Sequence, residues 1–240
     1  MADYRDKYDV KNAQRYEAKT YQDEGYYSWM WEIEKRYLGE LLNKHKFKDY
    51  LDFACGTGRV ISFVEDYVDN STGVDVSENI LDIARGKVSK SRLIRQDVTQ
   101  KSLNRKFDLV TAFRFFLNAQ DDLRHDVMKE LQSITRDKSW VIVSNQGNKT
   151  SLRFVFENLE GLLLKTDFNL MSKGDFIKLF EPYGFGLVEY RGIGFLPKPL
   201  YRIKAIKKPL QYLDLLFYKL RIFSYFSHNQ ILVFEKLPNK

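Results

Sequence analysis

The chain has 240 residues, 44% of them hydrophobic and 30% charged, with a net charge of +7; at ~150 residues per domain this reads as one large domain with an appendage, and it excludes a small disulfide scaffold. One cysteine, Cys55, and three scattered histidines, His45, His125 and His228, leave no intrachain disulfide and no four-ligand zinc cluster, so no metal is expected and a reducing, cytoplasmic compartment fits best. The N-terminus alternates charge with tyrosine and has no apolar core, so neither a secretory signal nor a transmembrane helix is expected.

In chain order, residues 27–44 place Met30, Trp31, Glu34, Leu38, Leu41 and Leu42 at three- and four-residue spacing, which predicts an amphipathic helix behind a tyrosine-rich arm. Residues 49–54 predict a short buried strand that runs into a glycine turn, and residues 59–67 predict the helix that follows. Residues 72–76 predict a second strand and 77–87 a second helix, with Ser77 as its N-cap. Three more strands are predicted at 92–97, 107–113 and 140–145, with a helix at 121–135 between the last two. Beyond them, 172–180 predicts a helix opened by Ser172 with Asp175 three residues on, 186–191 a late strand and 230–236 the closing strand. Strands alternating with helices predict a parallel sheet.

The charge is uneven. Residues 198–240 hold nine lysines and arginines against two acids, so the rest of the chain is balanced and the tail carries the excess. All five prolines fall in the last quarter, and residues 192–209 form the clearest composition shift in the chain. From Pro209 onward, Leu210, Leu213, Phe217, Leu220 and Phe223 repeat at helical spacing near Lys204, Lys207, Lys208, Lys219 and Arg221, which predicts a basic amphipathic helix. Its readings are packing on the sheet or a substrate lid that also touches an anionic membrane surface.

Glycines between a strand and a helix let backbone approach a bound ligand, because glycine has no side chain to collide and tolerates positive φ. Leu51-Asp-Phe-Ala-Cys-Gly-Thr-Gly-Arg supplies such a turn through Gly56 and Gly58, but Ile61 stands where a dinucleotide fingerprint needs its third glycine. Asp75 ends the second strand 19 positions after Gly56, placed to accept ribose hydroxyls, and Asp97 ends the third, within reach of an adenine.

These segments, LDFACGTGR at 51–59, GVDVSENILDIAR at 73–85, RQDVT at 95–99 and FDLVTAFRFFLN at 107–118, resemble the class I S-adenosylmethionine-dependent methyltransferases over about 100 residues. The resemblance implies a Rossmann-like α/β fold: a mostly parallel seven-stranded sheet flanked by helices, with an N-terminal aromatic arm and a C-terminal helical insertion before the last strand. It divides the chain into an arm and helix at 1–46, a cofactor-binding half at 47–150 and a substrate side at 151–240, with the basic lid at about 195–227. It implies S-adenosylmethionine as cofactor, with S-adenosylhomocysteine as product. Asp52, Ala54, Cys55, Gly56, Gly58, Asp75, Val76, Asp97, Val98 and Phe113 match its cofactor-side positions, and Tyr16 and Tyr21 match a covering N-terminal segment. The glycine pair that many members carry before the fifth strand is missing here. Nor is there an (N/D)PP(Y/F) motif after the fourth strand, where residues 113–118 read Phe-Arg-Phe-Phe-Leu-Asn; amino methylation of DNA bases is therefore disfavoured.

Direct methyl transfer needs mainly a nucleophile held in line. His228 is the candidate general base, since histidine is scarce and His125 reads as an ordinary residue of a polar helix start. Arg114, Asn118, Asn145 and Gln146 fall at or beyond the ends of the fourth and fifth strands, the edge where open α/β sheets bind ligands, and are the candidate acceptor-side residues. The expected acceptor is a small molecule, a sugar or a phosphate-bearing or lipid-linked intermediate methylated on oxygen or nitrogen. The alternatives are an RNA methyltransferase, against which stands the confinement of the basic excess to the last 43 residues, and a non-catalytic cofactor-binding module. The sequence leaves the oligomeric state open.

Overall fold

Long apolar runs are buried on both faces only at the centre of a sheet with helices on either side, and the central strands here are of that kind. The computed structural model describes residues 25–151, 170–196, 200–201, 203–221 and 223–238. Seven strands, β1 Asp49–Phe53, β2 Asn70–Asp75, β3 Arg92–Arg95, β4 Phe107–Phe113, β5 Thr135–Gln146, β6 Phe185–Ile193 and β7 Asn229–Lys236, make one sheet in the order β3-β2-β1-β4-β5-β7-β6. β7 alone is antiparallel to its neighbours, pairing Asn145 with Gln230 and Ile193 with Asn229. The sheet direction changes sides between β1 and β4, the crevice where open α/β sheets take their ligands. The predicted mostly parallel, seven-stranded Rossmann-like fold is the one observed.

One face of the sheet packs on α1 Tyr26–Lys44, whose Met30, Ile33, Leu38 and Leu42 are buried at helical spacing. The other face packs on α4 Asp121–Ile134 and α5 Lys173–Phe180 through Val127, Leu131, Phe176 and Phe180. α5 carries the expected capping box: Asp175 N–H donates to Ser172 Oγ at 3.2 Å and Ser172 N–H to Asp175 Oδ2 at 2.8 Å.

Several expectations need correction. The helix expected at 59–67 is a single turn, α2 Ile61–Val64. The Glu65 carboxylate that follows it accepts the backbone N–H groups of Ser89, Lys90 and Ser91, at 2.9, 3.0 and 3.0 Å, and so ties the chain to the loop before β3. α3 Glu78–Arg85 starts after Ser77 as expected, yet the Ser77 side chain makes no cap bond. β5 begins at Thr135, directly from the end of α4, five residues earlier than the apolar pattern marks it. The basic helix α6 Lys204–Leu220 begins before Pro209 and takes that proline inside its second turn.

Candidate active site

The turn after β1 depends on backbone conformations that few residues adopt. Ala54, Gly56 and Gly58 have φ of +52°, +56° and +77°. At Gly58 a Cβ would stand 2.9 Å from Ala84 Cβ of α3, so the second glycine is required by φ and by close helix approach together.

This turn delivers amides to an acid. Gly56 N–H donates to Asp75 Oδ2 at 3.0 Å and Ser77 N–H to Oδ1 at 3.0 Å, and Val76 N–H also bonds this carboxylate. Burial pushes the Asp75 carboxyl up from its usual range, and the three amides oppose that shift. Asp75 therefore closes the loop between β1 and β2 while standing in an open cleft at the ends of β1, β2 and β3. Phe53, Val74, Val98 and Phe115 form apolar walls, with Ala54, Val76 and Asp97 also lining the space. Asp97 Oδ1 accepts Thr99 N–H at 3.0 Å and Thr99 Oγ–H at 2.6 Å, which shapes the floor of the loop. An apolar lining with a carboxylate among it suits a nucleoside: the base takes the apolar walls and sugar hydroxyls find a charged acceptor.

Among the residues singled out from the sequence, Ala54, Asp75, Val76, Asp97 and Val98 meet in this cleft. Asp52 lies beneath it, with Oδ1 accepting Thr111 Oγ–H at 2.7 Å and Oδ2 accepting Ile61 N–H at 3.1 Å. Burial pushes the Asp52 carboxyl up to about 7. Cys55 is buried, and its Sγ faces Gly73 of β2; burial first, then the charges of Asp52 and Asp75, push its thiol well above the ordinary range. Phe113 is corrected: it packs in the α1 layer rather than on the cleft. Arg114 has a φ of +65°, which breaks the in-out alternation of β4 and turns Phe115 onto the cleft wall, edge-to-face with Phe53 at 4.9 Å. Tyr16 and Tyr21 lie outside the described residues.

Arg114 is paired with an acid of the core. Its Nη2 donates to both oxygens of Glu34 on α1, at 2.7 and 2.8 Å, so the guanidinium serves an internal ion pair. Glu34 is fully buried, also accepts Ser144 Oγ–H, and has Arg59 Nη1 at 3.7 Å. The Arg59 guanidinium in turn lies 4.5 Å from the Trp31 ring centroid. One carboxylate thus joins α1 to the glycine turn, to the end of β4 and to the end of β5. The sequence did carry a signal for Glu34: an acid at a core position of an apolar stripe needs a buried partner.

Asn118 Nδ2 donates to Arg114 O at 2.7 Å and holds the turn after β4. His228 sits beside Tyr26 of α1, ring centroids 6.5 Å apart, while its carbonyl accepts the N–H groups of Gly147 and Asn148. Gln146 is half-buried at the end of β5. Asn145 is fully buried, as is its cross-strand partner Gln230. Alternation along β5 and β7 places both on the face of Val143 and Leu232, the same face as the cleft. Asn145 Nδ2 donates to Gln146 O at 3.1 Å and Gln230 Nε2 donates to Met171 O at 2.5 Å. Those carbonyl partners fix the amide orientations, and leave Asn145 Oδ1 and Gln230 Oε1 buried with no hydrogen-bond donor. Sequence reading missed Gln230, because only the antiparallel return of β7 sets it beside Asn145.

A family model described as a methyltransferase domain matches residues 27–190. No curated protein sequence matches the chain significantly. Among solved structures, the fold is similar to the N-methyltransferase NodS from Bradyrhizobium japonicum WM9 in complex with S-adenosylhomocysteine, with a TM-score of 0.61, 11% identity and 90% of each chain covered. It is similar also to the magnesium protoporphyrin IX methyltransferase ChlM from Synechocystis PCC 6803 with the same product bound, with a TM-score of 0.61, 15% identity, and 94% of this chain and 93% of that one covered. A DhpI complex with the same product aligns at a TM-score of 0.62 and 14% identity, over 98% of this chain and 94% of that one.

Proposed function

Because the chain belongs to the class I S-adenosylmethionine-dependent methyltransferases, we propose that it methylates an oxygen or nitrogen that still carries hydrogen, on a small-molecule acceptor. When bound, S-adenosylmethionine supplies a methyl group made electrophilic by its sulfonium and leaves as S-adenosylhomocysteine. Asp75 would accept the ribose hydroxyls, Val98 and Phe115 would flank the adenine, and the Ala54–Gly58 backbone would lie against the rest of the cofactor. Asn145 Oδ1 and Gln230 Oε1 would accept the acceptor's N–H or O–H hydrogens and so turn the nucleophile's lone pair toward the methyl.

The observation that carries this reading is the buried, donorless pair of carbonyl oxygens on Asn145 and Gln230. Leaving such atoms unmade costs about 1–3 kcal/mol each, a penalty that a donor-bearing ligand removes.

The test is transfer of radiolabelled methyl into a host extract separated into small-molecule, lipid, protein and RNA fractions. Label in the small-molecule or lipid fraction, lost when Asn145 and Gln230 are replaced by leucine while cofactor affinity persists, is the expected result. Label confined to RNA or protein would overturn the reading.

A further inference from the structure

Ten large hydrophobic side chains stand exposed among the described residues, and eight of them lie between Ile203 and Phe226. The inner side of α6 is already used. Asp214 and Tyr218 are buried, and Asp214 accepts Phe195 N–H at 3.1 Å and the Tyr201 hydroxyl. Each residue advances a helix by about 100°, so a step of two residues turns through about 200°. Tyr212 and Leu216 stand two residues either side of Asp214, and Leu220 two beyond Tyr218. All three therefore point away from the protein, and Tyr212 is 72% exposed. Ile206 extends the stripe at one end and Phe223 at the other. A helix that is apolar on two opposite sides has one side unpartnered.

The charge on this element has one sign. Lys204, Lys208 and Lys219 are exposed, Arg221 stands 3.7 Å from Glu189 of β6, and the only acid of α6, Asp214, is turned inward. A second copy of the same face would bring lysines against lysines, whereas an anionic lipid surface offers acyl chains to the stripe and headgroups to the cations. We propose that α6 and the turn after it, through Phe223, form an interfacial helix that docks the protein on anionic bilayers. The insertion leaves the sheet at Ile193 and returns at Asn229, the edge that also carries Asn145 and Gln230. No helix among the described residues is long and apolar enough to cross a membrane, so the contact is peripheral.

The test is co-sedimentation of the full chain with phosphatidylcholine vesicles, with and without phosphatidylglycerol. The expected result is binding at least tenfold stronger to the phosphatidylglycerol vesicles, weakened by salt and abolished in Leu216→Glu/Leu220→Glu. Lys204→Glu/Lys208→Glu/Lys219→Glu removes the preference for anionic lipid. S-adenosylhomocysteine affinity, unchanged in both variants, shows that they fold. Three results would overturn the proposal: wild-type protein left in the supernatant with both vesicles, binding that survives the two leucine substitutions, or a dimer that Leu216→Glu dissociates while no vesicle is bound.

Discussion

Asp52→Asn tests the buried acid beneath the glycine turn. Its carboxyl is pushed up to about 7 against an ordinary 3.8, first by burial, with the bonds from Thr111 and Ile61 and the charge of Arg59 opposing. A folded-state value above the unfolded one means that the native protein holds the proton more tightly. This stabilisation is fully present below the unfolded value, and it is lost as pH rises toward and through 7. The difference of about three units corresponds to a ceiling of about 4 kcal/mol. Asparagine keeps the geometry: Oδ1 accepts Ile61 N–H, Nδ2 donates to Thr111 Oγ, and the Thr111 hydroxyl proton turns to Tyr50 Oη, 2.6 Å away. Urea unfolding from about pH 4.5 to pH 8 should show wild-type stability falling relative to Asp52→Asn by about 2–4 kcal/mol. Asp75 is raised in the same direction and its charge also raises Asp52, so the comparison reads Asp52 together with its coupling to Asp75. A wild-type-minus-variant difference that stays flat across this range would mean that Asp52 remains ionised when buried, and the reasoning would fail.

Gly58→Ala combines an unfavourable positive φ with a Cβ driven onto Ala84 of α3, and should destabilise the protein by about 2–4 kcal/mol. Thermal unfolding checks it, and an unchanged midpoint would show that α3 moves away without cost. Asp75→Ala removes the carboxylate that accepts Gly56 and Ser77 N–H. It should weaken S-adenosylhomocysteine binding about tenfold or more, since a charged acceptor contributes about 1.5–3 kcal/mol. Unchanged affinity by titration calorimetry would remove Asp75 from the ribose position.

What the sequence determined by itself is local. The strand and glycine turn at 49–58, the acids at 75 and 97, and the capping box of Ser172 and Asp175 are legible because turn geometry, strand-end position and helix capping act over a few residues. Tertiary structure decided what depends on distant neighbours. Arg114 reads as an acceptor-side residue at a strand end until α1 brings Glu34, 80 residues earlier, against it. Phe113 reads as cofactor-facing, but the regular alternation of β4 puts it in the α1 layer with Leu109, and the left-handed backbone of Arg114 then gives the cleft wall to Phe115. Gln230 acquires its place beside Asn145 only because β7 returns antiparallel. α6 reads as packing on the sheet or as a lid on a membrane surface until the inward turn of Asp214 and Tyr218 leaves Tyr212, Leu216 and Leu220 outside. In each case a side chain's pattern specifies that it will be apolar-facing or polar-facing, but which neighbour it meets depends on chain segments whose contact free energy exists only once the sheet is assembled.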